Sequence, residues 1–104
     1  PLCGSTIDVD LHVEDGRVTG FGQTIKACAL GQAAASVLAA QVIGKSANDI
    51  LAVRDQLKAM LTETGPPPDG DWSALSALAP AKDVRPRHGA ILLPFDAVLK
   101  AFAS

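Results

Sequence analysis

Polar and hydrophobic residues alternate strictly along residues 6–13, which is the period of a half-buried β-strand. The hydrophobic positions that would face the core are Ile7, Val9, Leu11 and Val13. The Asp15-Gly16 pair is a strong signal for a tight hairpin turn, so a second strand is predicted over residues 17–23. Residues 24–27 are predicted to form a third, short strand. The chain is therefore expected to begin with an antiparallel meander that has one solvent-exposed face.

The hydrophobic period lengthens to that of a helix after Cys28. Residues 29–43 are mostly alanine and other small residues that favour a helix. Gly44 stands where the C-terminal cap of this helix is expected. Ser46, with Asp49 three residues later, is a variant of the capping box, so a second helix is predicted to begin there.

A proline-rich loop over residues 65–70 separates these helices from the rest of the chain. A short helix that places Trp72 in the core is predicted to end at Pro80, and a charged loop follows over residues 81–87. A last amphipathic helix is predicted over residues 90–103. Strands followed by helices indicate an α+β fold, in which the helices pack on one face of an antiparallel sheet.

Composition restricts the classes of function. The 104 residues suffice for one domain, and a 48% share of apolar residues is typical of a globular chain rather than a disordered one. The formal net charge of −2 argues against nucleic-acid binding, which usually needs a basic surface. No apolar run reaches the roughly 20 residues that span a bilayer, and no signal peptide is recognisable. A cytoplasmic protein without membrane contact is expected.

Three residues of metal-binding type lie at predicted element boundaries. Cys3 precedes the first strand, Cys28 lies between the sheet and the first helix, and His88 precedes the last helix. Thiolate and imidazole ligands suit zinc, iron and iron–sulfur clusters, and the dipole of a helix stabilises a thiolate at its N-terminus. The spacing matches no local metal-binding motif. Packing of the two cysteines in the core therefore stays open as an alternative.

Several short motifs follow one another in a fixed order along the chain. They are Pro1-Leu2-Cys3-Gly4, Asp15-Gly16, Phe21-Gly22 ahead of Cys28, Ala33-Ala34-Ala35-Ser36, Ile43-Gly44-Lys45 and, from His88 to Ala97, HGAILLPFDA. With these motifs the chain resembles the NifU/IscU family of iron–sulfur cluster assembly scaffold domains. The resemblance implies a SufE/NifU-like α+β fold and a single domain over residues 1–104. That domain would lack the helix and the strand that precede the first cysteine in the family.

The resemblance also implies a metal site and a set of partners. In the family, three cysteines and an aspartate hold a nascent [2Fe–2S] cluster or a zinc ion, and a cysteine desulfurase supplies the sulfur. Cys3 and Cys28 match the first two cysteines, and His88 matches the histidine that precedes the third. The expected protein is a scaffold without enzymatic turnover. It would bind a [2Fe–2S] cluster, iron or Zn²⁺ through Cys3, Cys28 and His88, and its partners would be a desulfurase and apo-protein acceptors.

Two positions depart from the pattern of the family. Ser5 stands at the position of the aspartate, and either Gly89 or Ala90 stands at that of the third cysteine. Because these departures remove two of the four usual ligands, two other functions stay open. One is a SufE-like sulfur acceptor that carries a persulfide on Cys28 or Cys3. The other is an interaction module that keeps the fold without metal chemistry.

Overall fold

A computed structural model describes residues 5–104 of the chain, so Cys3 lies outside the described residues. A hairpin of two strands comes first, and three α-helices and two 3₁₀ segments follow. The strands are β1 (Thr6–Glu14) and β2 (Arg17–Lys26), the helices are α1 (Ala29–Gln41), α2 (Ala47–Thr62) and α3 (His88–Phe102), and the 3₁₀ segments are Gly70–Asp83 and Arg85–Arg87. The strands-then-helices order predicted from the sequence is confirmed.

The two strands form an antiparallel hairpin around Asp15 and Gly16. Both turn residues have positive φ, 52° and 77°, as a type I′ turn requires. The predicted third strand is wrong, because β2 continues to Lys26 as one strand and pairs with β1 from end to end, apart from an irregularity in register at Thr19. The sequence around Gln23 and Thr24 contains no turn, and both residues belong to β2. Val13 was predicted to face the core but keeps 40% of its surface exposed, so the helices do not cover the end of the sheet near the turn.

The predicted capping box at the start of α2 is present. The Asp49 amide donates to the Ser46 hydroxyl at 3.2 Å, and the Ser46 amide donates to the Asp49 carboxylate at 2.9 Å. The second of these bonds is the main reason why the pKa of Asp49 lies below its ordinary value. Gly44, with φ 86°, lies in the α1–α2 turn, where its amide donates to the Val18 carbonyl at 2.8 Å. This bond joins the turn to β2.

The segment after the proline-rich loop differs from the prediction. Pro80 does not end a short helix, since the 3₁₀ segment extends from Gly70 to Asp83 with Pro80 inside it. The fixed φ of proline, near −65°, falls within the φ range of a 3₁₀ helix. Residues 85–87, predicted as loop, form a further 3₁₀ turn. The buried side chains of the long segment recur every third residue, which is the period of a 3₁₀ helix: Trp72, Leu75, Leu78 and Ala81.

Helix α3 lies at the centre of the packing. It begins at His88, two residues before the predicted start, and packs against α1, α2 and β1. Phe95 is completely buried, and its ring meets Trp72 edge to face with 6.0 Å between ring centroids. The Arg54 side chain donates to the Asp96 carboxylate at 2.8 Å and joins α2 to α3. Among residues 5–104, no helix is long and apolar enough to cross a bilayer.

Candidate metal centre

Cys28 occupies the N-terminal cap of α1, as the sequence predicted. Its backbone is extended, with φ −63° and ψ 171°, and its carbonyl accepts the amide of Gln32 at 2.9 Å. Its half-buried side chain makes no capping hydrogen bond with the described part of α1. The thiol is therefore not occupied in capping the helix, and it stands at the N-terminal end of α1.

His88 is the first residue of α3, and its ring is held by the 3₁₀ segment. The ring atom Nε2 lies 2.9 Å from the carbonyl oxygen of Ala81. A carbonyl oxygen only accepts, so Nε2 carries the proton and donates. The neutral ring then has its lone pair on Nδ1, which is the atom left for a metal. Metal-binding histidines commonly donate their second ring nitrogen to a backbone carbonyl in this way.

The first turns of α1 and α3 contact each other through very small residues. A Cβ placed on Gly31 would lie 2.8 Å from the Ala27 Cβ and 3.1 Å from the Ala90 carbonyl oxygen. Ala27 precedes Cys28 in the chain, and Ala90 follows His88 by two residues. The fold therefore brings together the two chain segments that carry Cys28 and His88.

The two candidate positions for the third cysteine of the family differ sharply in this structure. Gly89 is exposed, and a Cβ placed on it would meet no atom of the described chain within 4 Å. Ala90 is completely buried against Gly31. Ser5, at the position of the aspartate, is also buried, with 5% of its surface exposed. Only Gly89 offers room for a side chain that reaches solvent beside the start of α3.

Within residues 5–104, no group of three or more His, Cys, Asp and Glu side chains could hold a metal ion. Of the three predicted ligands, Cys28 and His88 lie in this part of the chain, and Cys3 lies outside it. The ligand set Cys3, Cys28 and His88 therefore stays a prediction.

Sequence reasoning missed a cavity beside His88 and one of the cations that line it. The cavity has a volume of about 310 Å³ and is lined by Leu61, Thr62, Lys82, Asp83, Arg85 and His88. The run of charges over residues 81–87 was the available signal. It did not reveal that α2, in a distant part of the sequence, completes the wall.

The contact between the helix starts leads to a stability prediction for Gly31. Glycine-to-alanine changes inside helices normally stabilise by up to about 1 kcal/mol. We expect Gly31→Ala to destabilise instead, by about 1–3 kcal/mol, because the new methyl group would overlap Ala27 and the Ala90 backbone. Urea denaturation measures the change in the free energy of unfolding.

Gly89→Ala is the matched control, since it makes the same substitution in a helix at a position with open space. It should leave stability unchanged or raise it. Equal and favourable changes in both variants would contradict the close contact between α1 and α3.

Comparison with solved structures gives a sequence relationship that shows the family of the chain. No family model matches the chain, and the curated proteins give no match either. A crystal structure of the N-terminal part of a nitrogen-fixing NifU-like protein from Brucella abortus is 47% identical to this chain. The match has a TM-score of 0.92 and covers 95% of this chain and 69% of that one. The chain belongs to the NifU-like family. This confirms the family and the α+β fold that the sequence predicted.

Two further solved structures share the fold of this NifU-like domain at low sequence identity. A hypothetical protein matches with a TM-score of 0.89 and 22% identity over 100% of this chain and 76% of its own. A candidate iron–sulfur cluster assembly scaffold protein for the SUF system of Fervidobacterium islandicum AW-1 matches with a TM-score of 0.84. It is 19% identical over 97% of this chain and 74% of its own. At these identities the likeness concerns the fold alone.

Proposed function

We propose that this NifU-like domain is a scaffold for iron–sulfur cluster assembly that holds a nascent [2Fe–2S] cluster, iron or Zn²⁺ as its cargo. The proposed ligands are Cys3, Cys28 and Nδ1 of His88. The observation that carries the proposal is the Cys28 thiol, which stands free of capping bonds to the described residues at the start of α1 in a NifU-like fold. The SUF scaffold of the same fold supports the choice of cargo.

Each proposed ligand has a distinct part. Cys28 supplies a sulfur ligand at the N-terminal end of α1. His88 supplies a neutral imidazole that the Ala81 carbonyl keeps in one orientation. With Cys3 these make three protein ligands, which suits zinc with a water in the fourth position. An iron–sulfur cluster normally takes four protein ligands, so a cluster on this set would be bound less firmly. That property suits a cluster that is assembled here with sulfur from a cysteine desulfurase and then passed to apo-protein acceptors, without enzymatic turnover by the domain.

The test is the loss of metal binding on Cys28→Ser. A complete four-ligand zinc site contributes about 10–16 kcal/mol, so one ligand contributes roughly 3 kcal/mol, which is about a hundredfold in affinity. We expect the variant to bind zinc about a hundredfold more weakly than the wild type in a chelator competition. Anaerobic reconstitution with iron and sulfide should give visible absorbance in the wild type and much less in the variant.

His12→Gln is the control, since it changes an exposed histidine on β1 outside the proposed site. It should bind metal as the wild type does. If Cys28→Ser keeps the wild-type affinity and spectrum, Cys28 is not a ligand and the proposal fails.

A sulfur acceptor is the second candidate, because the half-buried Cys28 thiol at a helix N-terminus is also a suitable nucleophile. The two functions give different results. An acceptor would gain one sulfur atom on Cys28 or Cys3 when incubated with a desulfurase and cysteine, as intact-mass spectrometry would show. It would retain neither zinc nor a cluster after the same reconstitution.

A further inference from the structure

The cavity beside His88 combines a buried floor with a charged rim. It lies between the end of α2 and the C-terminal part of the long 3₁₀ segment, next to the first residue of α3. Leu61, at the end of α2, is buried and forms the floor. Thr62, Asp83 and Arg85 are exposed and form the rim. The volume of about 310 Å³ is enough for one side chain of a binding partner.

The charges that line the cavity leave one net positive charge. Lys82 and Arg85 are cations, Asp83 is an anion, and the proton of His88 is directed to the Ala81 carbonyl. Lys82 donates to the Thr64 hydroxyl at 3.0 Å, which holds its ammonium group in place. Within residues 5–104, Arg85 takes part in no ion pair. A net charge of one matches a single carboxylate better than a phosphate dianion.

An exposed hydrophobic residue is the chain neighbour of Arg85. Val84 lies between Asp83 and Arg85 in the chain and keeps 41% of its surface exposed. An exposed ion pair contributes only about 0–1 kcal/mol, so a free small acid would bind too weakly to be retained. An acidic peptide could add contact with Val84 to the ion pair. Arg87, which also forms no ion pair with any described residue, would favour further negative charge in the peptide.

We propose that this cavity, together with Val84, is a docking site for an acidic peptide segment of a partner protein. A carboxylate of the segment enters the cavity between Lys82 and Arg85, and a neighbouring apolar residue of the segment packs on Val84. The site goes beyond the proposed scaffold function and does not depend on a bound metal. Because His88 lines the cavity, a partner docked there lies next to the candidate metal centre.

The test is an NMR titration of the metal-free chain with a blocked peptide of alternating glutamate and leucine. We expect saturable shifts of the backbone amides of residues 61–62, 82–85 and 87–88. Arg85→Gln should raise the dissociation constant about fivefold, as expected for the loss of one exposed ion pair. Lys100→Gln is the control, because it also removes one positive charge. Lys100 lies about 18 Å from His88 along α3, from the rise of 1.5 Å per residue, so this change should alter the dissociation constant less than twofold.

Several results would overturn the proposal. The same peptide with glutamine in place of glutamate should not bind. If the two peptides bind equally, the carboxylate does not contribute to binding. Equal weakening by Arg85→Gln and Lys100→Gln would indicate attraction to overall charge. If acetate or inorganic phosphate alone gives the same saturable shifts at the same concentration, the cavity is a small-anion site and not a peptide site. Metal binding plays no part in the readout, so the scaffold function is tested separately.

Discussion

Phe95→Ala is expected to lower the free energy of unfolding by about 3–5 kcal/mol. Phe95 is completely buried and lies on α3, the helix that packs against α1, α2 and β1. Its removal also deletes the edge-to-face contact with Trp72. Phe95 belongs to one cluster of buried hydrophobic residues from several elements, so its neighbours cannot collapse into the space without giving up other contacts. A domain of this size has about 5–15 kcal/mol of stability in total, so the loss is a large share.

Urea denaturation followed by the fluorescence of Trp72, the single tryptophan of the chain, measures this loss. Leu51→Ala is the control, because Leu51 keeps 46% of its surface exposed and its truncation should change stability by about 0.5 kcal/mol or less. If the two variants lose similar amounts, Phe95 is not the centre of the core. An unchanged slope of free energy against urea would show that both variants unfold to a comparable state.

Gly89→Cys is expected to raise the affinity for zinc roughly hundredfold, because one added ligand contributes about 3 kcal/mol of binding free energy. The position has room for a side chain and is exposed beside the start of α3. The contact of Gly31 with Ala90 brings this turn next to the turn that carries Cys28. A thiolate at residue 89 would also face the positive end of the α3 dipole. The variant should retain a reconstituted cluster longer than the wild type.

Two controls separate a new ligand from a change in shape. Gly89→Ser adds a side chain of similar size without a thiolate and should leave zinc affinity close to that of the wild type. Ala90→Cys places the same thiol at a completely buried position, where we expect a loss of about 1–3 kcal/mol in stability and no comparable gain in affinity. A Gly89→Cys variant with wild-type affinity would contradict a metal centre at the start of α3.

Features that depend on neighbouring residues could be predicted from the sequence. The hairpin turn follows from Asp15 and Gly16, which accept positive φ at little cost. The start of α2 follows from Ser46 and Asp49, whose two hydrogen bonds span three residues. The position of Cys28 at the start of α1 follows from the change of period after it. None of these needs a distant part of the chain.

The 3₁₀ segment was misjudged although its signal was present. Trp72, Leu75, Leu78 and Ala81 recur every third residue, whereas an α-helix would shift its apolar positions by 3.6. Pro80 predicts a helix end, because proline breaks α-helices. In a run of this period its fixed φ is compatible with continuation. The side chains on this stripe pack against α1 and α2, which stabilises a conformation that is uncommon at this length.

By itself, the sequence determined the NifU-like family, the α+β class and the identity of the candidate ligands, because motifs and short periods carry that information. The tertiary structure alone decided three other points. Residue 89 has room for a side chain, whereas Ala90 is completely buried. His88 keeps only Nδ1 for a metal, and Lys82 and Arg85 line a cavity together with the end of α2. Each of these depends on contacts between separate elements. Such contacts arise only when the helices pack, so no local pattern of residues encodes them.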